Sequence, residues 1–379
     1  MKRKWLVPII IMAVLVVLVI VVWPMAPVWE RMGFKPFCIQ QDGSKLKIIP
    51  CPEQGTTVSP VSLPTPGPSG PIPIIVDDDG SPDGLIAMMY FLRNPLFDVR
   101  AVTISYGEAH PQVFAQHITQ MLSAFGREDI PVGYGNDAPL EGSNAFPDPW
   151  REASDNFWGF SIPQATRMIT PVPAAALIAD IIAESEEPVT IFISGSHTNF
   201  AEALRLDPGI TANIQDVFIM GGSANVPGNI HSDWPELDNE VAEWNIWVDP
   251  LAAQEVFASG MSLHLVPLDA TRQVVWRRND IPTWESASSP ISGFAGDILE
   301  WMLDNWSEKG VYIWDLVAAV QATTRSVCPE EIMELEIVTT PGPKQGQTRV
   351  NAGASLIAIC LDPLPEQMKA YAALIFGQP

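Results

Sequence analysis

The chain has 379 residues, with 44 acidic side chains against 21 Lys and Arg, a formal charge of −23. So acidic a surface repels nucleic acid and anionic lipid headgroups, and excludes both as expected partners. There are four cysteines but no CxxC or Cys/His cluster, so zinc lacks a ligand set. Cys38 and Cys51 bracket a short loop, and Cys328 and Cys360 lie far downstream. Either two disulfides in an oxidising compartment or buried thiols fit that spacing.

In chain order, Lys2-Arg3-Lys4 precede about eighteen mostly aliphatic residues, with no charge between Trp5 and Val28, enough to span a bilayer at about 1.5 Å per residue. Residues 1–23 therefore read as a single-pass membrane anchor. The basic flank stays inside and everything after Trp23 lies outside. A cleaved signal peptide, giving a secreted protein, is the rival, but Trp23-Pro24-Met25-Ala26-Pro27 offers a poor cleavage site. Residues 24–70 hold Cys38 and Cys51 and turn Pro-, Ser- and Thr-rich from Glu53, as an extracytoplasmic spacer does. Residues 71–379 make up one globular domain.

Within the domain, strands are expected at Val99–Tyr106, Val189–Ser194, Val217–Met220 and Leu263–Leu268. Helices are expected at Gln112–Phe125, Ala174–Glu184, Asn199–Leu206, Pro250–Ala258, Phe294–Asn305 and Leu316–Thr323. This alternation predicts an α/β, Rossmann-like fold with a mainly parallel sheet covered on both faces. At its start the apolar run Ile74-Ile75-Val76 ends in Asp77-Asp78-Asp79-Gly80-Ser81-Pro82-Asp83-Gly84, and Leu85–Leu92 continues as a helix. Like charges so close at a strand end call for a cation or polar ligand, and ligands of open α/β sheets bind at such ends. An EF-hand fails, with Pro82 and Met88 where Gly and Glu are needed. A phosphatase using Asp77 and Asp79 lacks its downstream Lys.

Further motifs follow in order: Ser194-Gly195-Ser196-His197-Thr198-Asn199, Met220-Gly221-Gly222, Gly228-Asn229, Glu243-Trp244-Asn245 with Asp249-Pro250-Leu251-Ala252-Ala253, and Trp314-Asp315 opening a helix. Together with the acid run, as a variant of DxDxxxDD, they resemble the inosine-uridine preferring nucleoside hydrolase family from Ile74 to about Ala322. The resemblance implies calcium-dependent hydrolysis of ribonucleosides to ribose and base, here in salvage of external nucleosides. It makes Asp79 a calcium ligand and the general base that steers the attacking water, Thr198 the carbonyl ligand and Asp315 the remote carboxylate. Asp83, Asn229, Glu243 and Asn245 would grip the ribose. A homo-oligomer is also implied, since relatives are commonly dimers or tetramers.

Three positions depart from the family pattern. Gly84 stands where a second Asp usually ligates calcium, Glu108 where an Asn contacts ribose, and Trp314 where a His often serves the leaving base. Either Glu108 or Asp78 supplies the missing carboxylate, or the domain only binds a nucleoside or ribose without turning it over. His231 offers another proton donor. Glu243 with Asn245, and Asp315, could instead be helix caps. Trp150, Phe157, Trp158, Trp234, Trp244 and Trp247 could stack on a base or pack, and Trp314 reads as core.

Overall fold

The computed structural model describes residues 37–42 and 45–50 as backbone and, with few side chains excepted, residues 61–378 other than 68–69, 163–169 and 286–288. It divides into two units, Met1–Thr57 and Val58–Pro379. The first contains an antiparallel hairpin, Phe37–Asp42 against Lys45–Pro50, within the stretch that composition reads only as spacer. The anchor reading of residues 1–23, and Cys51, lie outside the described residues. Among the described residues no helix is long and apolar enough to cross a membrane.

The second unit is organised around a ten-stranded sheet. Its strands are β1 (Ile72–Asp78), β2 (Phe97–Ile104), β3 (Val132–Tyr134), β4 (Val172–Pro173), β5 (Val189–Ile193), β6 (Ile214–Met220), β7 (Leu263–Val266), β8 (Glu330–Ile337), β9 (Thr348–Val350) and β10 (Ser355–Cys360). Across the sheet they run β9-β8-β10-β7-β6-β5-β1-β2-β3-β4. All neighbours are parallel except β8 with β9 and with β10. The chain runs outward from β1 to β4, then returns to β5 on the other side of β1. That reversal opens a crevice at the carboxyl ends of β1 and β5, the topological switch point where open α/β sheets bind ligands.

The principal helices are α1 (Pro82–Arg93), α2 (Pro111–Ala124), α3 (Asp148–Asp155), α4 (Ala174–Glu184), α5 (Thr198–Leu206), α6 (Pro250–Phe257), α7 (Pro290–Asn305), α8 (Trp314–Thr323) and α9 (Pro365–Phe376). They cover both faces, so the central strands are apolar on both. Along β1, Ile74 and Val76 join a core with α1, α7, α8 and α9, while Ile75 joins a second with α4, α5 and α6. This is the period-2 alternation of a strand buried on either side. Val61 and Leu63 pack against the first core, and Tyr371 donates to the Ser62 carbonyl at 3.2 Å.

The Cys328–Cys360 disulfide ties the chain two residues before β8 to the end of β10. Composition left that pair open between bridge and thiols; the structure forms the bridge.

Candidate active site

Ser81 caps α1, its Oγ accepting from the Gly84 N–H at 2.9 Å, and Pro82 supplies the preset φ of the first turn. This cap turns the chain sharply after β1, so Asp79 and Asp83 both reach a cavity of about 450 Å³. Asp315, in the first turn of α8, reaches it as well. Asp315 is not a helix cap, since Ile313 holds that position. Its backbone N–H donates to Asp83 Oδ2 at 3.3 Å, and its own Oδ2 accepts from Ser81 Oγ at 3.2 Å.

Asp79 is fixed from two sides. Glu108 N–H donates to its Oδ2 at 3.2 Å, and Ala109 N–H to its carbonyl at 2.8 Å. A Cβ at Gly107 would lie 2.3 Å from Asp79 Oδ2, and one at Gly195 2.6 Å from Asp79 Cβ. Both glycines are needed because backbone passes against this side chain. The segment after β6 supplies the other side of the cavity, with Asn229, Glu243 and Asn245. Glu243 caps the one-turn helix Trp244–Val248, accepting from the N–H groups of Asn245 and Ile246, and also from Gly222 at 3.0 Å. The cap reading and the cavity reading thus hold for the same side chain. Asn245 Nδ2 bonds the Ser194 and Met220 carbonyls at 3.1 and 3.3 Å, and Asn229 Oδ1 accepts from Trp244 N–H at 3.2 Å.

Thr198 does not line the cavity. Its hydroxyl donates to Asp249 Oδ2 at 2.7 Å, because it opens α5 one turn beyond the strand end. The residue of that motif that does line it is Ser194, where β5 ends. The turn Gly195–His197 separates the two. Glu108 lines the cavity; Asp78 is buried behind it, held by Gly80 N–H on Oδ1 and Ser194 Oγ on Oδ2, both at 2.8 Å. His231 gives Nδ1 to the Leu237 carbonyl and does not line the cavity, whereas its neighbour Asp233 does.

Aromatic rings complete the walls. Phe146 stacks on Trp244 at 4.8 Å, and Trp150 lies 5.3 Å from Trp244. Trp158 and Trp306 stand edge to face, and Trp314 lines the cavity while packing against the first core, as its core reading has it. Trp158 donates Nε1–H to the Gly80 carbonyl at 2.9 Å, and both it and Phe157 hold left-handed φ, 54° and 52°. Bulky residues keep such a conformation only where surrounding contacts dictate it. Phe157 is core, and Trp234 and Trp247 pack behind the wall.

Burial governs the electrostatics. Desolvation raises the carboxyls of Asp78 to about 7 and Asp83 to about 6, and those of Asp79, Glu108 and Asp315 well above the usual range. Mutual repulsion adds to the rise in Asp78, Asp79, Glu108 and Asp315. Glu243 rises to about 7 through burial, opposed by its three N–H donors. Among the described residues no three acidic, His or Cys side chains close up into a ready-made metal cage. The donor chemistry, several carboxylates facing one cavity with no cationic side chain bonded to them among the described residues, fits a hard divalent cation.

A parallel α/β sheet with a carboxylate-floored, aromatic-walled cavity at its switch point defines an enzyme-type site for a polyhydroxylated ligand with a planar substituent. The family model for inosine-uridine preferring nucleoside hydrolase matches residues 74–370, and the chain belongs to that family. Among similar curated proteins is the pyrimidine-specific ribonucleoside hydrolase RihA of Escherichia coli O81 (strain ED1a). It is 32% identical over 248 residues, covering 65% of this chain and 76% of that protein. Among solved structures, the plant nucleoside hydrolase PpNRh1 superposes with a TM-score of 0.70 at 23% identity, over 82% of this chain and all of that one. The inosine-uridine preferring nucleoside hydrolase from Bacillus anthracis gives 0.67 at 22%, over 81% and 99%. These two likenesses confirm the fold. The homologues of this chain are N-ribohydrolases.

Proposed function

We propose that this chain hydrolyses the N-glycosidic bond of ribonucleosides to ribose and free base, with a bound calcium ion, on the outer face of the membrane. The observation that carries the chemistry is one cavity in which Asp79, Asp83 and Asp315 meet Asn229, Glu243 and Asn245. Asp79 and Asp315 would hold the calcium, with a main-chain oxygen from the turn that runs from Ser194 to Thr198. When bound, the ion supplies positive charge that offsets these acids and polarises a water at the floor.

The side chains divide the remaining work. Asp79 has Oδ2 engaged by Glu108 N–H and no hydrogen bond on Oδ1 among the described residues, so Oδ1 is placed to take a proton from the attacking water. Asp83, oriented by the Asp315 N–H, accepts from ribose hydroxyls. Asn245 spends its amide N–H on two carbonyls, which leaves its oxygen to accept from the sugar. As the C–N bond breaks, its electron pair leaves with the base, and the surrounding carboxylates stabilise the oxocarbenium-like ring. The aromatic walls supply the flat, apolar space a base occupies.

The external location is supported by the basic-then-apolar N-terminus and by the Cys328–Cys360 bridge, which persists in oxidising compartments. The test of activity is incubation of the full chain with a panel of purine and pyrimidine ribosides in calcium, following released reducing sugar. Turnover of at least one riboside is expected. Saturable binding with no turnover of any would make the domain a nucleoside-binding module instead.

A further inference from the structure

Gly84 is the first backbone N–H captured by the Ser81 cap, and it lies against Asp78. A Cβ built on Gly84 would fall 1.8 Å from Asp78 Oδ2 and 2.8 Å from Oδ1. Real Cβ atoms do not approach oxygen so closely, and the obstruction is a side chain with little freedom. Asp78 is wholly buried, with Oδ1 held by Gly80 N–H and Oδ2 by Ser194 Oγ. Its carboxylate therefore occupies the volume into which any side chain at 84 would project.

We propose that residues 78 and 84 form an exclusive pair, in which Asp78 delivers from the end of β1 the carboxylate that the start of α1 lacks. Asp78, not Glu108, then completes the calcium site with Asp79 and Asp315. Glu108 approaches from a separate loop after β2 and makes its structural contact through its backbone N–H on Asp79. Asp78, by contrast, is bonded to Ser194, a residue that lines the cavity. Rotation of the Ser194 hydroxyl releases Asp78 Oδ2 from that hydrogen bond. The inference rests on the calcium reading above and adds to it the source of one ligand.

The experiment uses calcium chloride titrated calorimetrically into four forms of the full chain: wild type, Asp78→Ser, Gly84→Asp and the double variant. Thermal melting of each, with and without calcium, is recorded alongside. Asp78→Ser is expected to weaken calcium on the order of tenfold or more, since even supporting groups of metal sites are worth that much. Gly84→Asp alone should lower the calcium-free melting temperature, because two carboxylates contend for one space. The double variant should regain both melting temperature and calcium affinity. Glu108→Gln should bind calcium within a few-fold of wild type. Unchanged affinity in Asp78→Ser, or a double variant no better than Gly84→Asp, overturns the exclusive pair while leaving the calcium reading intact. A wild type that binds no calcium overturns both.

Discussion

Asp79 depends on what its neighbours lack. With a Cβ at Gly107 only 2.3 Å from Oδ2, Gly107→Ala must push the carboxylate aside. Displacing a reacting group by about 1 Å costs on the order of 100-fold in rate. We expect kcat for any riboside that is turned over to fall about that far in Gly107→Ala while the circular dichroism spectrum is retained; unchanged kcat would remove Asp79 from the proton transfer. A second residue-scale expectation concerns the aromatic wall. Asp233 accepts from Trp244 Nε1 at 3.3 Å, and burial raises its carboxyl against the pull of Arg272. It lines the cavity, precedes Trp234 in the chain and bonds the Trp244 ring. If Asp233 assists departure of the base, Asp233→Asn should slow natural nucleosides at least tenfold yet leave p-nitrophenyl riboside, which needs no proton, nearly unaffected. Equal loss on both would reduce Asp233 to packing. Asp79, Asp83, Asn229, Glu243, Asn245 and Asp315 were all named from the sequence, Asp79 by its acid run at a strand end and the others by the ordered motifs that resemble the family, and all six line the cavity. Ser194 was not singled out, because a lone serine at a strand end carries no signature in side-chain type. Asp233 and the wall-forming Trp306 were also missed, because only their placement in space brings them to the cavity.

At the scale of elements, β1, β2, β5, β6 and β7 could be read to within a few residues, since their apolar runs are short and bounded, whereas β3, of three residues, and β4, of two exposed ones, were not read. Helix α4 falls where its pattern placed it, at Ala174–Glu184. The antiparallel edge was not read. Strand β8 carries Glu330, Glu331, Glu334 and Glu336 and leaves Ile332 exposed, so neither an unbroken apolar run nor a clean alternation announces it. What holds that edge is instead a polar clasp. His264 on β7 gives Nε2 to Asp216 on β6 at 3.0 Å and Nδ1 to Glu330 on β8 at 2.9 Å, with its ring stacked on Phe218. Arg325 bonds Asp216 as well, and Gln321 bonds Glu330. Burial pulls the imidazolium down, but the two carboxylates outweigh it and raise His264 above 6.5, while Asp216 and Glu330 are lowered. Because the folded His264 binds its proton more tightly than the unfolded chain, its stabilisation is complete below about pH 6.5 and is lost as pH rises through the folded value. The contributions of Asp216 and Glu330 run oppositely, present at neutral pH and lost as pH falls through their lowered values. His264→Asn should therefore melt earlier than wild type at pH 6, by on the order of 1.5–3 kcal/mol, the worth of hydrogen bonds to charged groups. The gap should narrow on going to pH 8. A gap that is constant with pH would mean His264 is held neutral.

For the whole molecule, the same edge is closed covalently, and the redox state of its surroundings should reach the fold through that bond. Cys328 and Cys360 are 32 residues apart, and closing such a loop is worth about 3–4 kcal/mol in a chain-entropy account. Both cysteines are buried against α9 and α8 neighbours of the first core, so the bridge also joins the edge strands to the helices that carry Asp315. Prolonged reduction, or Cys328→Ala with Cys360→Ala, should lower the melting temperature without removing cavity residues. A chain made in a reducing cytoplasm should show the same deficit. The membrane proposal gives this a location. If residues 1–23 remain as an anchor and the rest is exported, the protein should sediment with membranes and resist extraction by alkaline carbonate. Protease added from outside should cut within the Pro-, Ser- and Thr-rich stretch before Ile72 and release a fragment that keeps its disulfide and any riboside hydrolysis shown by the full chain. Val61 and Leu63 pack on the core and Ser62 accepts from Tyr371, so cleavage should fall before them. A soluble product beginning after Trp23 would instead identify a cleaved signal, and a cytoplasmic, fully reduced product would overturn the external reading while leaving the catalytic one untouched.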